Sequence, residues 1–340
     1  MTRPLIVSQS SDAAGTDRSR IWSDLPELPF GIGGHAVAAI GDAILVAGGS
    51  VWTAAPWKHG KKQYRDDVMV LREFDGVWET VGRLPVPVAY AACAASQDEL
   101  YVAGGENADG VLRNVYSVST RGSVARVVRL PNLPCPLTDG SGAVLEGIFH
   151  VCCGQTGPDL KSATNRHWAL VGGRWVEQDP LPGVARILPI CQPTGGCFTL
   201  GSGAGFRIQS DRLVRSYLKD VWRFDPRTGW QEIGSLFVPC VAAPSLAYGD
   251  GLFIFGGDDG SLASAWHLQD QHPGFSKSVT RVSANSVRGL RGCDLPISLV
   301  TSGTALWRGR VVIAGGEDRA GSRSARVLAC KGGALVENEN

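Results

Sequence analysis

The sequence predicts an all-β protein: a β-propeller of six blades, each a sheet of four antiparallel strands, with an N-terminal strand completing the last blade. Three observations predict it. First, a unit of strand, glycine pair, polar loop and strand recurs along the 340 residues. Glycines 49, 105, 154, 201, 257 and 316 mark its six copies, 56, 49, 47, 56 and 59 residues apart. A repeat of that period stacks one supersecondary unit on the next. Second, a further strand often opens at tryptophan and runs into Leu-Pro. Third, residues 22–26 form one such strand with no repeat ahead of them, while the last repeat ends at Gly332-Gly333 without one.

Taken in order, residues 1–20 read as a loose polar lead-in, and residues 21–340 as a single propeller. Ile21-Trp22-Ser23-Asp24-Leu25 is a strand stopped by Pro26. Residues 36–40 and 43–47 are apolar runs about a Gly41-Asp42 turn, the pattern of a hairpin. The same hairpin returns at residues 89–95 and 100–103, 142–145 and 148–151, 187–191 and 197–200, 245–248 and 252–255, and 303–307 and 311–314. Each ends at a glycine pair or its degraded form, Cys153-Gly154 and Gly201-Ser202. Third strands are expected at 67–71, 114–118, 167–171, 220–224, 264–268 and 324–329. Trp78, Trp175 and Trp230 open fourth strands, Trp22 opens the displaced one, and residues 124–129 and 279–282 fill the place without tryptophan. Four strands in roughly 50 residues, with a recurring glycine pair, is the kelch-type pattern.

Composition narrows the function classes. A net charge of +1 builds in no attraction to nucleic acid or to an anionic membrane. The one basic-looking run, Arg207, Arg212, Arg215, Lys219 and Arg223, is interrupted by Asp211 and Asp220 and reads as a solvated loop. Nine scattered cysteines without a C-x-x-C favour free thiols in a reducing compartment. Leu5-Ile6-Val7 is too short for a signal-peptide core, and no run reaches membrane-spanning length, so a cytoplasmic location is expected. His35, His59, His150, His167, His267 and His272 show no metal-ligand spacing. Neither a metal nor a cofactor is expected.

The loops that follow the glycine pairs converge on one mouth of a propeller, and function concentrates in such loops. The one after Gly315-Gly316 is the most densely charged, with Glu317, Asp318, Arg319 and Arg323. A carboxylate and a guanidinium six residues apart can fold over one spot. They would serve as a general base beside an anchor for an anionic substrate, or as an ion pair that only fixes the loop. Glu106 and Arg113 repeat the arrangement with one extra residue, and Asp258 stands in the equivalent place of another repeat. Residues 50–66 and 202–219 are long loops, read as walls or lids of the mouth.

On these residues the chain resembles the kelch-like N-acetylneuraminate epimerases, or sialic acid mutarotases, in their cyclically permuted branch. Gly316-Glu317-Asp318-Arg319-Ala320-Gly321-Ser322-Arg323 is similar to that family's Gly-Glu-x-x-x-Gly-x-Arg loop. The loop after Gly48-Gly49 resembles its lysine- and tyrosine-containing insertion, and Pro182-Gly183-Val184-Ala185-Arg186 its blade-entry arginine. The resemblance implies acid/base opening and closure of a sialic acid ring. Glu317 would be the proton shuttle and Arg323 the partner of the substrate carboxylate. Glu106, Arg113, Arg186 and His35 are the expected substrate-binding residues. The expected partner is a small acidic sugar, and a homodimer is left open. A kelch scaffold that binds another protein, or a lectin-like carbohydrate binder, are the other readings of the same chain.

Overall fold

The computed structural model describes residues 21–283 and 286–337; the expected lead-in, residues 1–20, lies outside them. The described chain is all-β apart from short 3-10 turns and one terminal helix, Gly332–Glu337. It forms six four-stranded antiparallel sheets. The first holds Ala36–Ile40, Ala43–Ala47, Asp67–Leu71 and Glu79–Arg83; the second Ala92–Ala95, Leu100–Ala103, Val115–Arg121 and Val124–Leu130. The third holds Ser141–Leu145, Ile148–Cys152, His167–Val171 and Arg174–Gln178; the fourth Ile190–Thr194, Cys197–Gly201, Asp220–Asp225 and Gly229–Ser235. The fifth holds Ser245–Tyr248, Gly251–Gly257, Ser276–Ser283 and Ser286–Leu290. The sixth takes Gly303–Trp307, Arg310–Ala314 and Val327–Lys331 from the C-terminal end and Trp22–Leu25 from the N-terminal end. Trp22 stands opposite Cys330 and Leu25 opposite Val327, so the first strand joins the last sheet as expected.

A sheet with two apolar faces must bury both, and each sheet here does so against its two neighbours. One apolar cluster joins Val46 and Met69 of the first sheet to Val312 and Val327 of the sixth. Others join the first sheet to the second, the second to the third, the third to the fourth, the fourth to the fifth and the fifth to the sixth. The outer-strand tryptophans add a polar tie to this packing. Trp22 donates its indole N–H to Cys293 O (2.9 Å), Trp78 to Pro26 O (2.9 Å), Trp175 to Pro131 O (2.8 Å) and Trp230 to Asp179 O (2.9 Å). Each acceptor lies on the link that enters the tryptophan's sheet. The ring packs at the gap between sheets, and the N–H finds a backbone partner there.

Two expectations need correction. Residues 264–268 are not a strand: Ala265–Gln271 is a 3-10 segment, the third strand is Ser276–Ser283 and the fourth Ser286–Leu290. The β-branched residues lie downstream, in Ser278-Val279-Thr280-Arg281-Val282, and Pro273-Gly274 separates them from the earlier run. In the fourth repeat the pair is Ser202-Gly203, not Gly201-Ser202. Ser202 has φ 55° and Gly203 φ 98°, matching 65° and 100° at Gly48-Gly49 and 61° and 99° at Cys153-Gly154. Backbone conformation therefore defines the pair better than composition does. The second position is glycine in all six copies, as left-handed φ near 100° requires. Residues 50–66 and 202–219 carry their own hairpins, Ser50–Trp52 with Lys62–Tyr64 and Ala204–Gln209 with Arg212–Tyr217. All nine cysteines are free thiols. No helix among the described residues is long and apolar enough to cross a membrane.

Candidate functional site

The six sheets meet at a ring of backbone hydrogen bonds. Tyr90 N–H donates to Gly34 O (2.7 Å), Asp139 to Tyr90 O (2.9 Å), Leu188 to Asp139 O (2.8 Å) and Ala242 to Leu188 O (3.1 Å). Thr301 donates to Ala242 O (2.9 Å), and Gly34 to Thr301 O (2.8 Å), which returns to the start. All six residues have left-handed φ, from 52° at Leu188 and Thr301 to 68° at Gly34. Each lies 15 residues before the second glycine of its sheet's pair (Gly49, Gly105, Gly154, Gly203, Gly257, Gly316). The residue after each pair, namely Ser50, Glu106, Gln155, Ala204, Asp258 or Glu317, bridges the residue just before its ring member. One rim thus presents two concentric sets of residues around the axis.

A cavity of about 400 Å³ lies along the six first strands and is bordered by all six ring residues. A second, of about 290 Å³, shares Leu188, Ala242 and Thr301 with it and is lined on the rim by Glu317, Asp258, Tyr217, Arg215, Trp266 and His272. The ring is the floor of this mouth.

Glu317 and Arg323 meet here. They face each other across the small hairpin of Glu317–Arg319 and Ser322–Arg323, with Arg323 Nη1 2.9 Å from Glu317 Oε1. The same nitrogen donates to Thr301 Oγ1 (3.1 Å), and Nη2 donates to Tyr90 Oη. The guanidinium lies against Gly33, where a Cβ would collide with it, so that glycine is required by close approach. The Arg323 side chain is 5% exposed and the Glu317 side chain 18%. Burial pushes the Glu317 carboxyl above its usual range, and the charges of Arg323 and Lys62 pull against that shift without cancelling it.

Glu106 sits on the same rim without lining either cavity, and it does not pair with Arg113. It accepts from Tyr64 Oη (2.8 Å) and pairs with Lys62 Nζ (3.5 Å), both from the 50–66 hairpin. Lys62 lies over the rings of Tyr90, Tyr64 and Trp52, at 5.0, 5.8 and 5.9 Å from their centres. Burial, with Glu106 as acceptor, raises the Tyr64 hydroxyl pKa.

The other expected residues are placed elsewhere. Arg113 is exposed and lies with Arg166 near Cys135, outside both cavities. Arg186 is fully buried. It forks onto Asp220 (2.8 and 2.6 Å) and donates to Ser202 O (3.0 Å) and Val184 O (2.9 Å), which leaves its guanidinium engaged inside the fourth sheet's entry. A blade-entry arginine reads the same in sequence whether it faces the axis or braces the link. His35 lines the larger cavity below the ring, its Nε2 2.7 Å from Ala314 O. Burial holds its imidazole down at about 4.

Sequence reasoning missed Asp139, Tyr90 and Tyr217; Lys62 it had only as part of the 50–66 loop, and Arg215 only as part of a solvated basic run. Asp139 is a ring residue, and burial lifts its carboxyl to about 7, helped by the charge of Glu106 and opposed by Lys62 and Arg215. The constant 15-residue offset from the glycine pair is the signal that would have found it. Among the described residues no three His, Cys, Asp or Glu side chains are grouped as a metal site.

No family model matches the chain. An F-box/kelch-repeat protein of Arabidopsis thaliana is 32% identical over 126 residues, 36% of this chain and 33% of that protein. An N-acetylneuraminate epimerase of Brucella suis is 37% identical over 107 residues, 27% of each chain. An N-acetylneuraminate epimerase of Yersinia enterocolitica is 29% identical over 109 residues, 26% of this chain and 27% of that one. These matches therefore span a third or less of the curated relatives' length. A solved structure titled "Structure of YjhT" superposes with a TM-score of 0.66 at 16% identity, covering 90% of this chain and 96% of that one, a likeness of fold. The resemblance read from the Glu317 loop is thus met by named relatives, kelch-repeat proteins and N-acetylneuraminate epimerases alike, over segments of this chain.

Proposed function

We propose that residues 21–340 form one six-bladed kelch-type β-propeller whose mouth exchanges the anomers of N-acetylneuraminate or a related acidic sugar. Six sheets packed in cyclic order and a hydrogen-bond ring with one member from each support the blade count. The observation that carries the activity is a buried carboxyl, Glu317, fixed at 2.9 Å by Arg323 and opening onto a cavity of about 290 Å³. Mutarotation removes the proton of the anomeric hydroxyl, breaks the bond from the anomeric carbon to the ring oxygen and protonates that oxygen. Reclosure on the other face reverses each transfer. Burial raises the Glu317 carboxyl, the direction that suits a group both taking and returning a proton, and positioned acid–base catalysis contributes about a hundred- to ten-thousand-fold.

The geometry changes the role expected of Arg323. Its guanidinium is committed to Glu317, Thr301 and Tyr90. It acts on the reaction by holding Glu317. The substrate carboxylate is received by the accessible cations of the rim: Arg215, which lines the cavity, and Lys62, whose side chain is 29% exposed and whose charge reaches Glu317. The exposed indole of Trp266 on the same wall offers an apolar face to the sugar.

Exchange spectroscopy by NMR on N-acetylneuraminate tests this. Wild-type protein should speed anomer exchange, and Glu317→Gln should lower the rate by about a hundredfold or more while binding persists. Binding without exchange would establish the lectin reading. Neither binding nor exchange with any acidic sugar would leave the scaffold reading, which the F-box/kelch-repeat relative favours.

A further inference from the structure

A ring opening needs two proton transfers at different oxygens, and Glu317 accounts for one. Around the ring the order is Gly34, Tyr90, Asp139, Leu188, Ala242, Thr301, so Asp139 stands three places from Thr301 in either direction. Thr301 belongs to the sixth sheet and accepts from Arg323, the residue that holds Glu317. Asp139 is therefore the ring residue diametrically across the mouth from the Glu317 hairpin. The charges facing it come from three rim hairpins: Lys62 from the first sheet, Glu106 from the second and Arg215 from the fourth, with the Tyr64 hydroxyl beside them. The charge of Lys62 acts on both Asp139 and Glu317; Asp139 borders the central cavity and Glu317 the rim cavity, and the two cavities meet at Leu188, Ala242 and Thr301.

Several polar groups of the rim have partners: Tyr64 donates to Glu106, Tyr90 accepts from Arg323, and Asp258 accepts from the Gly260 N–H, while Lys62 and Arg215 remain accessible cations. Among the described residues the Asp139 carboxyl has only long-range charges around it and no protein hydrogen bond. It borders the central cavity at the ring itself. We infer that Asp139 is the second proton-transfer group of the mouth, giving its proton to the sugar's ring oxygen as Glu317 takes the proton of the anomeric hydroxyl. This rests on the mutarotase reading and deepens it.

The step balances without a co-reactant. The anomeric O–H bond breaks to Glu317 and its electron pair forms the carbonyl. The bond from the anomeric carbon to the ring oxygen breaks, and that oxygen takes the Asp139 proton. After rotation about the bond from the anomeric carbon to its ring neighbour, the Asp139 carboxylate takes the proton back. The oxygen then attacks the other carbonyl face, and Glu317 returns its proton. Both carboxyls end as they began. Two acids in unlike surroundings are what such a division of labour needs. Asp139 is lifted by burial and by Glu106 to about 7, while Glu317 is braced by Arg323 at 2.9 Å, so the two carboxyls have unlike surroundings.

The test is the pH dependence of anomer exchange of N-acetylneuraminate, measured by NMR on the full chain and on Asp139→Asn. Asparagine tolerates left-handed backbone, so the ring hydrogen bonds are kept. Circular dichroism and sugar binding confirm the variant's fold. Wild type should show a bell whose alkaline limb falls as Asp139 loses its proton. The variant should lose about a hundredfold or more in rate together with that limb, with sugar affinity held within a few-fold. A variant that exchanges at the wild-type rate with its alkaline limb intact overturns the inference and leaves the mutarotase reading standing. So does a variant that loses affinity and rate in equal proportion with the limb unmoved, which would make Asp139 a binding residue. A wild type that exchanges no acidic sugar overturns the reading and the inference with it.

Discussion

Arg323 holds four things at once: Glu317, Thr301, Tyr90 and the space that Gly33 leaves by having no side chain. A lysine there keeps the charge but loses the planar fork that divides donors between partners. Arg323→Lys should therefore slow anomer exchange by about tenfold or more and change sugar affinity little, read by NMR exchange and calorimetry. A large affinity loss with an unchanged maximal rate would return Arg323 to the role of carboxylate anchor. Asp139 makes a second residue-scale prediction, on stability. Its folded pKa of about 7 lies above the ordinary 3.8, so the folded state keeps a proton that the unfolded chain releases. Stability is lost as pH rises from about 4 through 7, and Asp139→Asn removes that loss. The variant should melt a few degrees above wild type at pH 8, with the gap closing near pH 4. His35, His150 and His167, held down at about 4, 4 and 3, have the opposite sign. They withdraw stability as pH falls below 6.5, in wild type and variant alike, so the difference between the two isolates Asp139.

At the scale of elements, the Arg186–Asp220 fork is the firmest brace of a loop. Both side chains sit at the base of the Ala204–Gln209 and Arg212–Tyr217 hairpin, which carries Arg215 and Tyr217 to the mouth. Arg186→Ala would leave Asp220 with only the Trp222 indole N–H and the Ser202 carbonyl without this donor, and should cost about 3 kcal/mol in chemical denaturation. Arg227→Ala, which breaks a pair whose arginine is 85% exposed, should leave stability nearly unchanged because solvent screens the pair. Equal losses would show that burial does not set the strength of these pairs. The sequence made the repeats legible because each strand hairpin is an apolar run cut by a turn, and a glycine must follow where φ approaches 100°. It misplaced the third and fourth strands of the fifth sheet because a 3-10 insertion shifts the register of the repeat there. The Glu317–Arg323 pair was legible because both residues sit in one hairpin. Glu106 joined Lys62 and Tyr64 instead of Arg113, because those partners come from a neighbouring sheet, 44 and 42 residues away. A spacing rule within one loop has no access to such a contact. Asp139 was hidden in the same way: only its five counterparts, spread over the chain, mark it as a ring position.

The whole molecule depends on how its two ends are joined. Each sheet has an apolar cluster on both faces, and the one between the sixth and first sheets includes Leu25 from the N-terminal strand. The fifth–sixth cluster includes Trp22, which stacks edge-on against Phe255 at 5.6 Å and donates to Cys293 O. Asp24 adds an ion pair to Arg326 at 2.8 Å. Removing this strand therefore strips both interfaces of the sixth sheet and bares the backbone edge of Val327–Lys331. Loss of the Trp22 side chain alone should cost about 3–5 kcal/mol. On the proposed closed propeller, the loss should appear as a lowered midpoint of one cooperative transition, and not as separate melting of the last sheet. Deleting residues 1–28 should accordingly lower the melting temperature by well over ten degrees or prevent folding, and a synthetic peptide of residues 20–30 should restore part of the loss. The sixth sheet also carries Glu317 and Arg323, so sugar binding should fall and recover with the same peptide titration. A truncated chain that melts and binds like the full-length protein would show that the cycle of sheets holds without its N-terminal strand, and that the ends are joined by packing of the first and sixth sheets alone.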